Sequence, residues 1–297
     1  MSGYGWGFRM IYYMILAVSY IACLMPGRLA DAVGRSIALV LWPFLPKKRK
    51  ELAVKQIIDC LGVTETEAKH IAKESTLRFG SMLLEVLRFP YINRHMEDFV
   101  TIEGKEHMAA GLAAGRGGII ATGHTGNWEL LGGALSHAGF PIVGVAQRQK
   151  EAAADKFINR YRTMIGMHIT YKDDVREMFQ MMKQGWAIGL LADQDANRKD
   201  GIVLNFFGHA TNCVTGPASL ARSQNVPMVP IFITKQKDGR HRVICHPPIE
   251  VAHTKDKKKD IADALQQYQN ILEAHIRAYP TEWFWLHDRW KSMRNRS

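Results

Sequence analysis

The chain reads as an α/β protein, a central mixed, largely parallel sheet flanked by helices, with an N-terminal membrane-anchoring helix. Three observations predict this. Short apolar runs suited to fully buried strands alternate with stretches of helical period, the order expected of βαβ units. Two of these runs, 119–121 and 186–192, end in polar residues of catalytic type, His124 and the pair Asp193 and Asp195. An uncharged apolar run of 17 residues, 10–26, lies near the start.

As a helix, residues 10–26 are about 25 Å long, at or just below what a hydrocarbon core of about 30 Å requires. Tyr4, Trp6, Phe8, Tyr12, Tyr13 and Tyr20 supply interfacial aromatics. A second apolar run, 37–45, is broken by Pro43 and followed by Lys47-Lys48-Arg49-Lys50. That cluster suits an anionic leaflet, and the positive-inside rule puts the downstream domain in the cytoplasm. A single span is the preferred reading and a shallow in-plane anchor the alternative. A cleaved signal peptide fits less well, since only Arg9 charges its start and no A-x-A site comes after it. The expected division is an anchor and lead-in, 1–46, and a catalytic domain, 47–297.

Thr64-Glu-Thr-Glu67 is a capping box, and the helix it opens carries Ile71, Phe79, Met82, Leu83 and Val86 toward a core before Pro90. A short strand at 99–104 and a helix at 105–114 come next. The run 119–121 then breaks at Gly123, and a helix begins near Thr125 or Asn127 and stops at Gly139 and Pro141. Residues 142–148 form the next strand, with Arg148 at its carboxyl end, where ligands gather in open α/β sheets. Helices at 153–164 and 174–183 lead to the strand 186–192. The stretch from there to Asn212 reads as a long functional loop holding Arg198 and Lys199. A helix from Thr215, strands at 226–233 and 242–245, and an amphipathic helix ended by Pro280 complete the domain. The aromatic and basic tail 283–291 reads as packing or, more sharply, as a lipid-headgroup rim.

His124 and Glu129, five residues apart, sit at a strand-to-helix turn held by a rigid element on each side. Glu129, one turn into the helix, is expected to accept from one imidazole nitrogen and leave the other facing the cleft as a general base. Free amides of the helix start, with Gly126 allowing close approach, would receive an oxyanion. The rival reading is a pair that only caps a helix. Zinc is disfavoured because no second His occurs at helical spacing after the first.

Charge and composition narrow the partners. Against 28 Asp+Glu the chain sets 39 Lys+Arg, a net +11, which suits an anionic membrane, an acidic protein or nucleic acid. Nucleic acid is the weakest, since no basic recognition helix or aromatic RNA-binding motif occurs. A mean hydropathy of −0.16 is too low for a multi-span transporter. Cys23, Cys60, Cys213 and Cys245 are scattered without C-x-x-C, which argues against zinc ribbons and disulfide scaffolds. Asp193-Gln-Asp195 also admits a divalent-metal reading, as in a metal-dependent glycosyltransferase, with loop anchoring the stronger one.

Taken together, the motifs resemble one family. His124-Thr-Gly-Asn-Trp-Glu129 resembles the H-x-x-x-x-[DE] motif of glycerolipid-type acyltransferases, and its surroundings are most similar to the bacterial lipid A late acyltransferases, the lauroyl and myristoyl transferases. Val145-Ala-Gln-Arg148 is similar to a second block. Ala192-Asp-Gln-Asp195, Asn205-Phe-Phe-Gly208 and Thr215-Gly-Pro217 resemble a third, Val226-Pro-Met-Val-Pro230 a fourth, and Trp285-Leu-His-Asp-Arg289-Trp-Lys291 the C-terminal signature. The glycine expected soon after the paired acids is missing from Asp195-Ala-Asn-Arg198-Lys199, which bears on acceptor specificity.

The resemblance implies transfer of a fatty acyl group from a thioester, on acyl carrier protein or, as the alternative donor, coenzyme A, to a hydroxyl of a lipid A precursor. Another lipid acceptor, a lysophospholipid or a phosphoinositol mannoside, is the alternative. His124 and Glu129 would be catalytic, with Asn127, Arg148, Asp193, Asp195 and Arg198 binding substrate and neither metal nor cofactor required. The enzyme would work at the bacterial inner membrane, its catalytic domain in the cytoplasm, touching the lipid surface, an acidic carrier and an anionic glycolipid.

Overall fold

Two helices, α1 (Trp6–Leu24) and α2 (Gly27–Leu41), precede the rest in a computed structural model that describes residues 6–197 and 200–294. α3 (Lys47–Leu61) carries the basic cluster in its first turn and buries Ala53, Gln56, Ile57 and Cys60 along one stripe. α4 (Glu65–Leu87) starts at Thr64, whose hydroxyl accepts from the Glu67 amide at 3.3 Å. The short helices α5 (Phe89–Ile92) and α6 (Met96–Phe99) lead into the sheet. Its units run as β1 (Val100–Glu103), α7 (Lys105–Leu112), β2 (Gly118–Thr122), α8 (Trp128–His137), β3 (Ile142–Ala146), α9 (Ala152–Met164), β4 (His168–Tyr171), α10 (Val175–Lys183) and β5 (Ala187–Leu191). After them come β6 (Gly201–Phe206), β7 (His209–Val214), α11 (Gly216–Gln224), β8 (Met228–Lys235), β9 (His241–Cys245), α12 (Lys257–Ala278) and α13 (Lys291–Arg294).

Seven strands form one sheet in the order β1-β9-β8-β2-β5-β3-β4. All neighbours pair in parallel except β8 with β9. This is the mixed, largely parallel sheet the sequence predicts. Alternation along each strand divides the core in two. Ile119 and Ala121 of β2 join one buried layer with Ile188, Phe232 and residues of α3, α4, α11 and α12. Ile120 joins the other, with Leu130, Leu131 and Ile231, beneath α8 and α9. β2 lies at the centre, with a late strand on one side and β5 on the other, so its carboxyl end opens into the crevice where α/β sheets bind ligands.

Two elements differ from the sequence-based expectation. Most of the stretch read as a loop before Asn212 is an antiparallel hairpin, β6 with β7, turned by Phe207 and Gly208 at φ 54° and 79°. Positive φ at both turn positions matches the right-handed twist of the strands, but Phe-Gly lacks the Asn or Asp that marks such turns in sequence. The tail, read in its sharper form as a lipid rim, packs against the domain, with Lys291 alone of its residues exposed. Trp285 and Arg289 are fully buried, and the Arg289 guanidinium donates to Asn212 O at 2.8 Å.

α1 is long and apolar enough to cross a membrane. It lies along the domain and is held at several points. Tyr12 is buried under Arg160, which donates to its hydroxyl at 3.0 Å. Further along, Ser19 donates to Leu87 O at 2.6 Å and touches the Tyr161 hydroxyl, while Arg88 donates to Met25 O at 2.9 Å just beyond the helix. The opposite side leaves Met14, Val18, Ile21 and Leu24 exposed, and α2 adds Ile37, Val40 and Leu41.

Candidate active site

β2 and β5 pair with Thr122 opposite Leu191. Two residues past that rung the register brings His124 and Asp193 together. Imidazole Nδ1 lies 2.7 Å from Asp193 Oδ1, and the His124 backbone N–H donates to Oδ2 at 2.8 Å. The indole N–H of Trp283 donates to the same Oδ2 at 2.8 Å. A carboxylate only accepts, so Nδ1 carries the proton and Nε2 is left as an acceptor, 3.3 Å from the Gln194 amide nitrogen. Burial alone would raise the Asp193 pKa. The imidazole beside it and the three hydrogen bonds hold it down at about 2. For His124 burial works against the charged form, but the Asp193 charge and hydrogen bond prevail, Glu129 adds to them, and the pKa rises.

Glu129 does not orient the imidazole as expected. It occupies the second position of α8 and faces α9, where Arg162 in the last turn grips both carboxylate oxygens at 2.7 and 2.6 Å. The two residues meet at the site, but their contact is the longer-range charge of Glu129 on His124. Gly126 also has a different task from the one expected. Its N–H donates to Glu282 O at 2.9 Å, and a Cβ on it would stand 2.2 Å from Ile233 O, so β8 needs the bare backbone. The amides of Trp128 and Glu129, first in α8, have no intrahelical acceptor and remain the donors a helix start offers.

Asn127 is fully buried and caps α8, which removes it from contact with substrate. Its Oδ1 accepts from Leu130 N at 3.0 Å, and its amide donates to Glu85 at 2.8 Å. Glu85 also takes Lys235 Nζ at 2.8 Å and His241 Nε2 at 3.1 Å. Burial pushes its pKa up, yet these partners carry it far below the usual carboxylate range. An ionic cluster thus backs the turn between β2 and α8.

The two acids of Asp193-Gln-Asp195 do not converge. Asp195 accepts from Ser292 N at 2.9 Å and Ser292 Oγ at 2.8 Å, which ties the C-terminal segment to the sheet and disfavours a shared cation. Beyond β3, Arg148 is exposed on the same edge as His124, its guanidinium 3.7 Å above the Tyr171 ring. Arg198 lies outside the described residues.

Beside this dyad runs an apolar channel. On the face covered by α8, Ile120, Gly189, Gly144 and Ile169 stand side by side across β2, β5, β3 and β4. The middle two have no side chain, and the gap left beneath α8 has a volume of about 70 Å³. Leu131, Gly132, Ile142 and Met167 line its depth, while Thr122, Trp128, Glu129, Arg162 and Leu191 form its rim. Trp128 stands edge-on to His124 with ring centres 4.9 Å apart, so the imidazole is one ring away from the mouth.

Sequence reasoning placed His124 at the turn but missed Asp193 as its partner, along with Trp283 and Arg162. Asp193 was findable: it comes after an apolar strand as His124 does, and only the pairing of the two strands was lacking. Trp283 and Arg162 left no local signal.

The model of the family described as bacterial lipid A biosynthesis acyltransferase matches residues 6–292. The phosphatidylinositol mannoside acyltransferase of Mycolicibacterium smegmatis is 27% identical over 226 residues, 74% of this chain and 72% of that one. The lipid A biosynthesis palmitoleoyltransferase of Escherichia coli is 21% identical over 281 residues, 93% and 90% of the two chains. A solved structure, the 1-acyl-sn-glycerophosphate acyltransferase PlsC of Thermotoga maritima, matches 84% of this chain and 98% of that one, with TM-score 0.37 and 12% identity.

Proposed function

Because the chain belongs to the bacterial lipid A biosynthesis acyltransferase family, we propose that it moves a fatty acyl chain from an acyl thioester to a hydroxyl of a lipid A precursor, with His124 as general base oriented by Asp193. The observation that carries this reading is the proton-accepting Nε2 of His124 beside the rim of a channel shaped for a hydrocarbon tail. His124 Nε2 takes the proton of the acceptor hydroxyl as its oxygen attacks the thioester carbonyl. The tetrahedral oxyanion forms near the amides that open α8. Its collapse expels the thiolate, which recovers the proton from the imidazolium, so ester and thiol are the products. Asp193 stabilises the imidazolium and keeps the tautomer. Glu129 and Arg162 hold the rim in shape, and Arg148 on the same edge suits an acceptor phosphate.

Acyl carrier protein is the favoured donor, since an acidic carrier and an anionic glycolipid both suit a chain of net charge +11. α1 and α2 would lie in the plane of the inner membrane on its cytoplasmic side, apolar faces down. A second reading, acylation of a phosphatidylinositol mannoside, is favoured by the 27% identity with the mycobacterial relative.

The test offers purified full-length protein palmitoyl thioesters of acyl carrier protein and of coenzyme A, with each acceptor lipid in vesicles. A new ester on the lipid A precursor is expected, lost by about 10²-fold or more in His124→Ala, as removal of acid–base help implies. Near-wild-type turnover in that variant sinks the mechanism. Product only on the mannoside selects the second reading.

A further inference from the structure

Building on that acyltransferase reading, we propose that Met167, laid across the channel between α8 and β3, is the stop that sets the length of acyl chain accepted. A Cβ added to Gly132 of α8 would come within 2.6 Å of the Met167 terminal methyl, and one added to Gly144 of β3 within 2.7 Å of it. The same methyl therefore rests on bare backbone at both walls and bars the way. Behind it the space is filled. Ala187 and Ile142 pair across β5 and β3 and are buried, and a Cβ on Gly133 would stand 2.4 Å from Ile165.

Above the bar the channel is open. A Cβ at Gly189 would meet only Val143 O, at 3.5 Å, so a side chain there would project into free space. Gly189 and Gly144 pair in register, which makes the bare strip two strands wide directly under α8. An acyl chain entering past Trp128 would run over these glycines and end against the methionine. One methylene too many must displace Met167 or stay in water, and a hydrophobic pocket discriminates a single methylene by about 10-fold or more. Methionine is unbranched and rotates freely, so the stop is soft and would tolerate near neighbours in length.

The test uses full-length protein with a ladder of saturated acyl thioesters from octanoyl to stearoyl, reading kcat/KM at each length. Displacement of a bound fluorescent fatty acid by the free acids of the same ladder gives a second readout, independent of turnover. Met167→Ala is expected to move the optimum to a longer chain, raising the longer-to-original ratio of kcat/KM by about 10-fold or more. Gly189→Val, whose Cβ meets only Val143 O at 3.5 Å, is expected to move it to a shorter chain and abolish the longest. It carries the test should Met167→Ala fail to fold by thermal melting. If both folded variants keep the wild-type length preference in turnover and in binding, the assignment of Met167 is overturned. If wild-type protein moves no acyl group from any thioester, the acyltransferase reading fails instead, and the binding ladder alone decides Met167.

Discussion

His124 is pulled in opposite directions by burial, which favours its neutral form, and by the Asp193 carboxylate, which favours the charged one. The carboxylate wins, and the pKa lies above the ordinary 6.5. A general base works neutral, so kcat/KM should rise with pH through an apparent pKa above that value. Asp193→Asn keeps the shape and removes the charge, leaving burial opposed by the weaker pull of Glu129. We expect its acid limb to move to lower pH while kcat falls about 10²-fold or more. An unmoved limb would show that Asp193 does not govern the imidazole. The pair also makes stability depend on pH. The contribution of Asp193 is present above its ordinary 3.8 and is lost as pH falls toward about 2. That of His124 has the opposite sign, being present below the unfolded value and lost as pH rises through the folded one.

The β2–α8 turn works because several elements close on it. Glu282 O takes the Gly126 amide, Thr125 bridges to Trp283, and Glu85 on α4 holds the cap residue Asn127. Gly126 sits at φ 52° against Ile233 O. Gly126→Ala should destabilise the fold by about 1–3 kcal/mol from the backbone conformation alone, and by more from the clash. Urea melts measure this, and a midpoint equal to wild type refutes it. The same closeness explains why the role expected of Gly126 did not hold. A glycine in a turn signals that something approaches closely, and here it is the protein's own strand rather than a ligand.

Across the whole molecule, α1 and α2 each present apolar side chains to the outside, with Val18 47%, Ile21 56% and Val40 66% exposed. Patches of this kind mark interaction sites. A helix bonded to the domain at Tyr12 and Ser19 has one side committed to protein, which suits lying in the interface better than crossing it. Val18→Glu with Ile21→Glu should therefore release the protein from anionic vesicles in a sedimentation assay while its melting temperature holds. Undiminished binding by the folded double variant would move the membrane contact elsewhere.

From residue order alone came the α/β class, the strand run 119–121, the turn carrying His124, the cap at Thr64 and the apolar start. These are local properties, set by periodicity, capping and turn chemistry within a few residues. The tertiary structure decided which carboxylate reaches the imidazole. Glu129 is near in sequence and turns to Arg162, whereas Asp193, 69 residues on, arrives through the β2–β5 register. It also opened the channel, because two glycines on different strands make a gap only once those strands are neighbours beneath a helix. Strand pairing is a choice among distant segments, and no window of the sequence contains both partners.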